Sequence, residues 1–482
     1  MRTSNILLIT PLFFFLLGQE FASTDVIASG KSLYEKKCAV CHGVEGKGDG
    51  PAQAFLYPKP RDLTAGKFKI RSTPSLPTDD DLLRIISSGI PGTAMPGWAV
   101  LPMTERKDIV AYVKSLSPVF SQQPEPKPVR IPPTARVTPA LLELGKRFYV
   151  EAECLKCHGA TGKGDGEAAD TLKDDWGYPI LPYDFTIAGR MKGGNTVRDV
   201  YRTLVTGIGG TPMPSYADSL SAQEMWGLAY YVQSLSKRAA GPAPKEEATI
   251  TSTFIKADLS APDATSPLWK KATAIDVLLR PLWFKEGYVD RVRVRSLHNG
   301  KEIAFLLEWE DPTKNADVEK LEPPGLVLAR ALQKDHTKSA DIPRLEAFGD
   351  AAALQFPTKA DGVPSFPMGE AGQVVSIWQW RADRKGDGQG FVDNLAASGF
   401  GTLTTQLSLE VKGKGIWSKG KWRVVFSRVM TGGGEVVGLA PGKVMPVAFA
   451  VWNGAISQRD GEKSVSTWSF LKVEARQSRR ER

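Results

Sequence analysis

The spacing of apolar residues divides the chain into a helical half and a strand-rich half. Ile109, Val110, Val113 and Leu116 fall on one stripe at helical spacing, and Met225, Leu228, Ala229, Val232 and Leu235 on another. Ser221 and Glu224 form a capping box ahead of the second stripe. Past residue 260 the helical spacing gives way to alternation. Arg291-Val292-Arg293-Val294-Arg295 puts valines on one face and arginines on the other. An Asn299-Gly300 turn then leads into Ile303-Ala304-Phe305-Leu306-Leu307, which reads as a hairpin. Further strands are predicted at 273–279, 374–380, 402–411, 421–430, 445–452 and 465–472. About eight strands separated by turn residues point to an antiparallel β-sandwich of roughly 200 residues.

Two stretches interrupt these patterns. Residues 119–138 are proline-rich and read as an extended linker, and 238–251, with Gly241-Pro242-Ala243-Pro244, read as a second. At the N-terminus, Arg2 precedes an apolar run from Ile6 to Leu17. A helix over that run covers about 18 Å against a hydrocarbon core of about 30 Å, too short to span. Residues 1–28 therefore read as a cleaved secretory signal and the mature chain as periplasmic, with no transmembrane segment. The expected organisation is a signal (1–28), a helical unit (29–118), a linker (119–138), a second helical unit (139–237), a linker (238–251), a sandwich (252–475) and a basic tail (476–482). This is a multidomain protein of two all-α domains and a C-terminal antiparallel β-sandwich.

The helical units are copies of each other. Gly30-Lys31 with Tyr34 is matched by Gly145-Lys146 with Tyr149, and Gly46-Lys47-Gly48-Asp49-Gly50 by Gly162-Lys163-Gly164-Asp165-Gly166. Gly89-Ile90-Pro91-Gly92-Thr93-Ala94-Met95-Pro96 is matched by Gly207-Ile208-Gly209-Gly210-Thr211-Pro212-Met213-Pro214. All four cysteines lie in the repeat, as Cys38-Ala39-Val40-Cys41-His42 and Cys154-Leu155-Lys156-Cys157-His158. Two thiols one helical turn apart reach the two vinyl groups of one porphyrin, and the adjacent imidazole becomes the proximal iron ligand. Cys38, Cys41 and His42, and likewise Cys154, Cys157 and His158, are thus expected to hold two covalent c-type haems. The formal net charge of +9 is largely offset by the propionates of the expected haems, and no basic patch suggests nucleic acid.

Each unit resembles a class I cytochrome c: a helix, the haem motif, a loop, an axial methionine and a closing helix. The resemblance implies Met95 and Met213 as distal ligands. The histidine count agrees. Only four are present, and His298 and His336 lie far downstream, His298 beside a turn and His336 in a charged loop. Met103 competes with Met95 but has no counterpart in the second unit.

Several segments of the C-terminal half resemble the haem-binding domain of the ethylbenzene dehydrogenase gamma-subunit family. These include Ser266-Pro267-Leu268-Trp269, Phe366-Pro367-Met368-Gly369, Trp378-Gln379-Trp380, Ala450-Val451-Trp452-Asn453-Gly454 and Glu462-Lys463-Ser464-Val465. Asn453 stands where an aspartate is more usual. The resemblance implies one non-covalent haem b held by Met368 and Lys463, with Met430 and Met445 as competing methionines. It also implies partners: a molybdenum-containing catalytic subunit, an iron–sulfur subunit, and a soluble cytochrome or terminal oxidase. No nucleophile–base constellation or phosphate loop is present, so an electron-transfer role is expected. Two other readings stay open, a dihaem cytochrome carrying a haem-free carbohydrate- or ligand-binding sandwich, and a dihaem peroxidase or oxidase.

Overall fold

The computed structural model describes residues 14–187, 189–236, 248–317, 348–359, 363–384, 392–406, 411–431 and 438–475, with side chains from Asp25 onward. His336 and the basic tail lie outside the described residues, as does most of the apolar run at the N-terminus. The first unit holds α1 (Phe14–Lys37), α2 (Ala39–His42), α3 (Asp79–Ser88) and α4 (Met103–Ser115), and α5 (Val119–Gln122) follows it. The second holds α6 (Pro139–Glu151), α7 (Cys154–His158), α8 (Val197–Thr206) and α9 (Ala222–Leu235). Helix α1 runs unbroken through the expected end of the signal at residue 28. Among the described residues, no helix is long and apolar enough to cross a membrane.

The repeated glycines and tyrosines have a common cause. Helices α1 and α4 cross at Gly30, where a Cβ would lie 2.0 Å from the Asp108 carbonyl oxygen. Helices α6 and α9 cross at Gly145, where it would lie 2.0 Å from that of Gly227. Below each crossing a buried tyrosine donates to a glycine carbonyl just after the haem motif, Tyr34 to Gly43 at 2.9 Å and Tyr149 to Gly159 at 2.8 Å. Three capping boxes start α3, α8 and α9, built on Thr78/Asp81, Thr196/Asp199 and Ser221/Glu224.

The C-terminal half contains β1 (Thr249–Phe254), β2 (Ile275–Leu278), β3 (Arg280–Pro281), β4 (Arg291–His298), β5 (Glu302–Glu310), β6 (Ala351–Pro357) and β7 (Val375–Arg381). It continues with β8 (Val392–Ala397), β9 (Thr404–Thr405), β10 (Lys412–Ser418), β11 (Lys421–Val429), β12 (Val444–Trp452), β13 (Ser464–Val465) and β14 (Ser469–Val473). One sheet runs β10-β11-β5-β4-β1-β14-β12 and the other β12-β6-β7-β8-β9. Strand β12 belongs to both: Val444–Val447 pair with β14 and Ala448–Trp452 with β6. The pairs are antiparallel except at β1, which lies parallel to both β14 and β4. Strand β1 also begins inside the segment read as linker. The strand expected at 402–411 is only Thr404–Thr405 among the described residues, and the long strand of that region is β10. His298 is not a polar turn residue but a fully buried end of β4, its ring edge-on to Phe254 at 5.5 Å.

Alternation along the second sheet separates two apolar faces. Leu354, Phe356, Trp378, Phe449 and Val451 point into the core between the sheets. Ala351, Ala353, Ile377, Ala448, Ala450 and Trp452 point the other way, into one cluster with Tyr34, Leu82 and Trp98 of the first helical unit. That unit therefore sits on the sheet's outer face. An almost buried ion pair at 2.9 Å, Lys37 with Glu370, and an edge-on Trp98–Phe366 contact at 6.0 Å fasten it there. The proline-rich segment is extended beyond α5 and lies on the units it joins, with the Val129 N–H donating to the Ser72 carbonyl at 2.7 Å.

Candidate functional site

Each helical unit encloses an apolar cleft. The first, of about 1170 Å³, is lined by Cys38, Cys41, His42 and Met95 together with Leu82, Trp98 and Val113. The second, of about 1240 Å³, is lined by Cys154, Cys157, His158 and Met213 together with Val200, Leu204 and Leu228. The near-equal volumes follow from the repeat. The four cysteines line these two clefts, two in each. Burial pushes the Cys38 and Cys41 thiols up to about 12 and that of Cys154 to about 11, a mark of how apolar both clefts are.

Both histidines are oriented by the same contact. His42 Nδ1 lies 2.9 Å from the Arg61 carbonyl oxygen and His158 Nδ1 3.1 Å from that of Tyr183. A carbonyl can only accept, so Nδ1 carries the proton and Nε2 presents its lone pair, the state an iron ligand requires. Burial lowers both imidazole pKa values, which also favours the neutral ring. The methionine loops match as well. Thr93 Oγ1 donates to the Ile90 carbonyl at 2.8 Å and accepts from the Met95 N–H at 3.2 Å. Thr211 does the same for Ile208 and Met213, at 2.8 and 3.3 Å. Met103 is half exposed at the start of α4 and does not line the cleft.

A third cleft, of about 460 Å³, opens on the outer face of the second sheet. Ala353, Ala448 and Ala450 line it, with Met368, Lys463, Phe400 and Trp452 around them. Alanines leave a shallow floor where larger side chains would fill the space. Met368 has φ of +76°, in the left-handed region that costs a non-glycine residue on the order of 1–3 kcal/mol. Its backbone is fixed there by Met368 N–H to the Phe366 carbonyl at 2.9 Å and Gly399 N–H to the Met368 carbonyl at 2.8 Å. Lys463 directly precedes β13. Its Nζ lies 5.0 Å from the centre of the Trp452 ring, and burial pulls its ammonium down to about 8 against the opposing effect of Asp460. A lysine so poised is readily neutralised, the form that can bind iron. Met430 and Met445 pack against the core between the sheets instead. These observations make the cleft fit a haem held by a thioether and an amine. Asn453 is buried and holds its own turn, accepting from Ala455 N–H and donating to the Gly287 carbonyl, both at 2.9 Å.

The three clefts are contiguous. Phe366 and Pro367, which precede Met368, line both the first and the third. Lys69 lines both the first and the second. The sequence reading missed these shared walls. Phe366 and Pro367 had been noted only as neighbours of Met368, and Lys69 lies in a loop with no motif of its own.

Two helical units, each with a Cys-x-x-Cys pair, an oriented histidine and a loop-held methionine lining one apolar cleft, define a c-type haem protein. Three known families match in chain order: "Cytochrome C oxidase, cbb3-type, subunit III" over residues 25–113, "Cytochrome c" over 142–236, and "Ethylbenzene dehydrogenase" over 266–406 and 401–464. Among curated relatives, cytochrome c-554(547) of Halothiobacillus neapolitanus is 31% identical over 91 residues, 18% of this chain and 94% of its own length. A protein of Haloferax mediterranei named as a respiratory nitrate reductase heme subunit is 29% identical over 241 residues, 48% of this chain and 76% of its own. Chlorate reductase subunit gamma of Ideonella dechloratans is 29% identical over 209 residues, 42% of this chain and 77% of its own. The chain belongs to the cytochrome c family, as two tandem cytochrome c domains followed by an ethylbenzene dehydrogenase-type domain.

Proposed function

We propose that this chain is a three-haem electron-transfer subunit of an oxidoreductase complex. Haem c would be held in the first cleft by Cys38, Cys41, His42 and Met95 and in the second by Cys154, Cys157, His158 and Met213, and haem b in the third by Met368 and Lys463. The observation that carries this reading is the contiguity of the clefts through Phe366–Pro367 and Lys69. Haem in each cleft supplies one-electron chemistry, and the protein sets its environment and spacing. The chain's own residues do the rest. His42 and His158 are held in the ligating tautomer by carbonyls, the threonine-braced loops hold the methionines, and the apolar linings exclude water. Met95 and Met213 line the same clefts as the histidines and would supply a second protein ligand to each haem, the arrangement suited to relay. The named relatives support an enzyme partner, here a molybdenum-containing catalytic subunit with an iron–sulfur subunit. A soluble cytochrome or terminal oxidase at the other end and a periplasmic location complete the reading.

The test is a pyridine haemochrome assay on the full-length protein, matured in a host that exports and attaches haem. Two haem c and one haem b per chain are expected, and Met368→Ala or Lys463→Ala should lose haem b while both haem c remain. Two haem c with no haem b would overturn the third site and leave a dihaem cytochrome carrying a sandwich of other use.

A further inference from the structure

The duplication extends to a pair of lysines that no motif marks. Asp62 accepts from Thr64 N–H and Asp184 from Thr186 N–H, each at 2.8 Å, and these turns begin equivalent loops. The loops continue as Gly66-Lys67-Phe68-Lys69 and Gly189-Arg190-Met191-Lys192. Lys69 is 9% exposed and lines both the first and second clefts, whereas Lys192 lines the second only. Neither ammonium has a hydrogen-bond or ion-pair partner among the described residues. Burial pulls Lys69 down to about 7, with Lys192 and Arg61 adding repulsion and only Asp174 opposing, and pulls Lys192 to about 8. The seat of Lys69 is rigid. Its carbonyl accepts from Gly209 N–H at 3.1 Å, and the Arg61 guanidinium lies 4.1 Å from the centre of the Trp176 ring.

A buried cation without a partner is costly, and an anion delivered by a bound group removes that cost. The group expected in each cleft carries carboxylates. We propose that Lys69 is an anion-binding post shared between the two clefts, its ammonium paired with carboxylates of the groups bound in both, while Lys192 serves the second alone. The inference rests on the reading of both clefts as haem c sites. A single charge facing two redox centres raises the potential of both, because each reduction adds negative charge that the same ammonium stabilises.

The test is a spectroelectrochemical titration of the full-length holoprotein at fixed pH and ionic strength. Lys69→Met is expected to lower the reduction equilibrium constants of both haem c centres at least tenfold, about 59 mV for a one-electron couple. Lys192→Met should lower only that of the second unit by this factor. Lys69→Arg, which keeps the charge, should hold both constants within about threefold of wild type. If Lys69→Met lowers the haem c content, Lys69→Gln takes its place with the same expectation. Two haem c per chain with constants that a neutral residue at 69 leaves unmoved, or moves at one centre only, would overturn the shared post and leave the haem reading intact. Fewer than two haem c in the wild-type chain would remove the haem reading and this inference with it.

Discussion

The two cytochrome domains are the same machine set in different surroundings. Inside, they agree contact for contact, from the helix crossings at Gly30 and Gly145 to the threonine-braced methionine loops. Outside, they part. The residue before the first cysteine is Lys37 in one, almost buried against Glu370 of the sheet domain, and Glu153 in the other, exposed and paired with Lys156. The methionine loop has Pro91 in the first domain and Gly209 in the second, because a Cβ at Gly209 would lie 2.1 Å from the Phe68 carbonyl oxygen. Redox chemistry fixes the inside of a duplicated domain, while its neighbours fix the outside. The first domain is the hub, sharing a wall with each of the other two clefts.

Six substitutions would break or sharpen this contrast. The largest effect is expected from Lys37→Met, which leaves Glu370 buried without a counter-charge. It should cost about 3–5 kcal/mol and free the first domain from the sheet, read as new protease cleavage between them. Next, Gly209→Val should cost about 2 kcal/mol and release the second domain, seen as faster exchange of the amide at position 209, whereas Pro91→Val stays within about 0.5 kcal/mol. A cost for Pro91→Val as large as that for Gly209→Val would show that the methionine loops are seated alike. Smaller and equal in the two domains, Thr78→Ala and Thr196→Ala should each cost about 1 kcal/mol, measured by hydrogen exchange in α3 and α8. Least of all, Lys156→Met removes an exposed ion pair and should leave the thermal unfolding midpoint where it is. A loss approaching that of Lys37→Met would erase the difference between the domains.

Much of this was legible in the sequence where chemistry demands particular residues at particular spacings. The haem motifs, the methionine loops and the helix-crossing glycines are of this kind, since each residue has few substitutes. The sheet domain was harder. Ala351-Ala352-Ala353 favours helix by propensity, yet β6 is a central strand held between β12 and β7, and Ala353 leaves room for the third cleft. Glycines 413 and 415 argue against a strand at β10, but a Cβ at Gly415 would lie 2.1 Å from the Trp380 ring, so they are what lets the strand lie against its neighbour. Lys69 and Lys192 escaped notice because the second loop is one residue longer, which hides their equivalence until the folded positions are compared.

The wall formed by Phe366 and Pro367 also bears on the order in which the molecule is completed. Apart from Lys69, the second cleft is enclosed by residues 149–232, all present soon after the second domain is synthesised. The first cleft takes its own lining from residues 34–113 but has a wall that arrives only with the sheet domain. Domains fold as they emerge, N-terminal first, so the first domain begins earliest and closes last. Its cleft stays open on one side until the rest of the chain folds back over it.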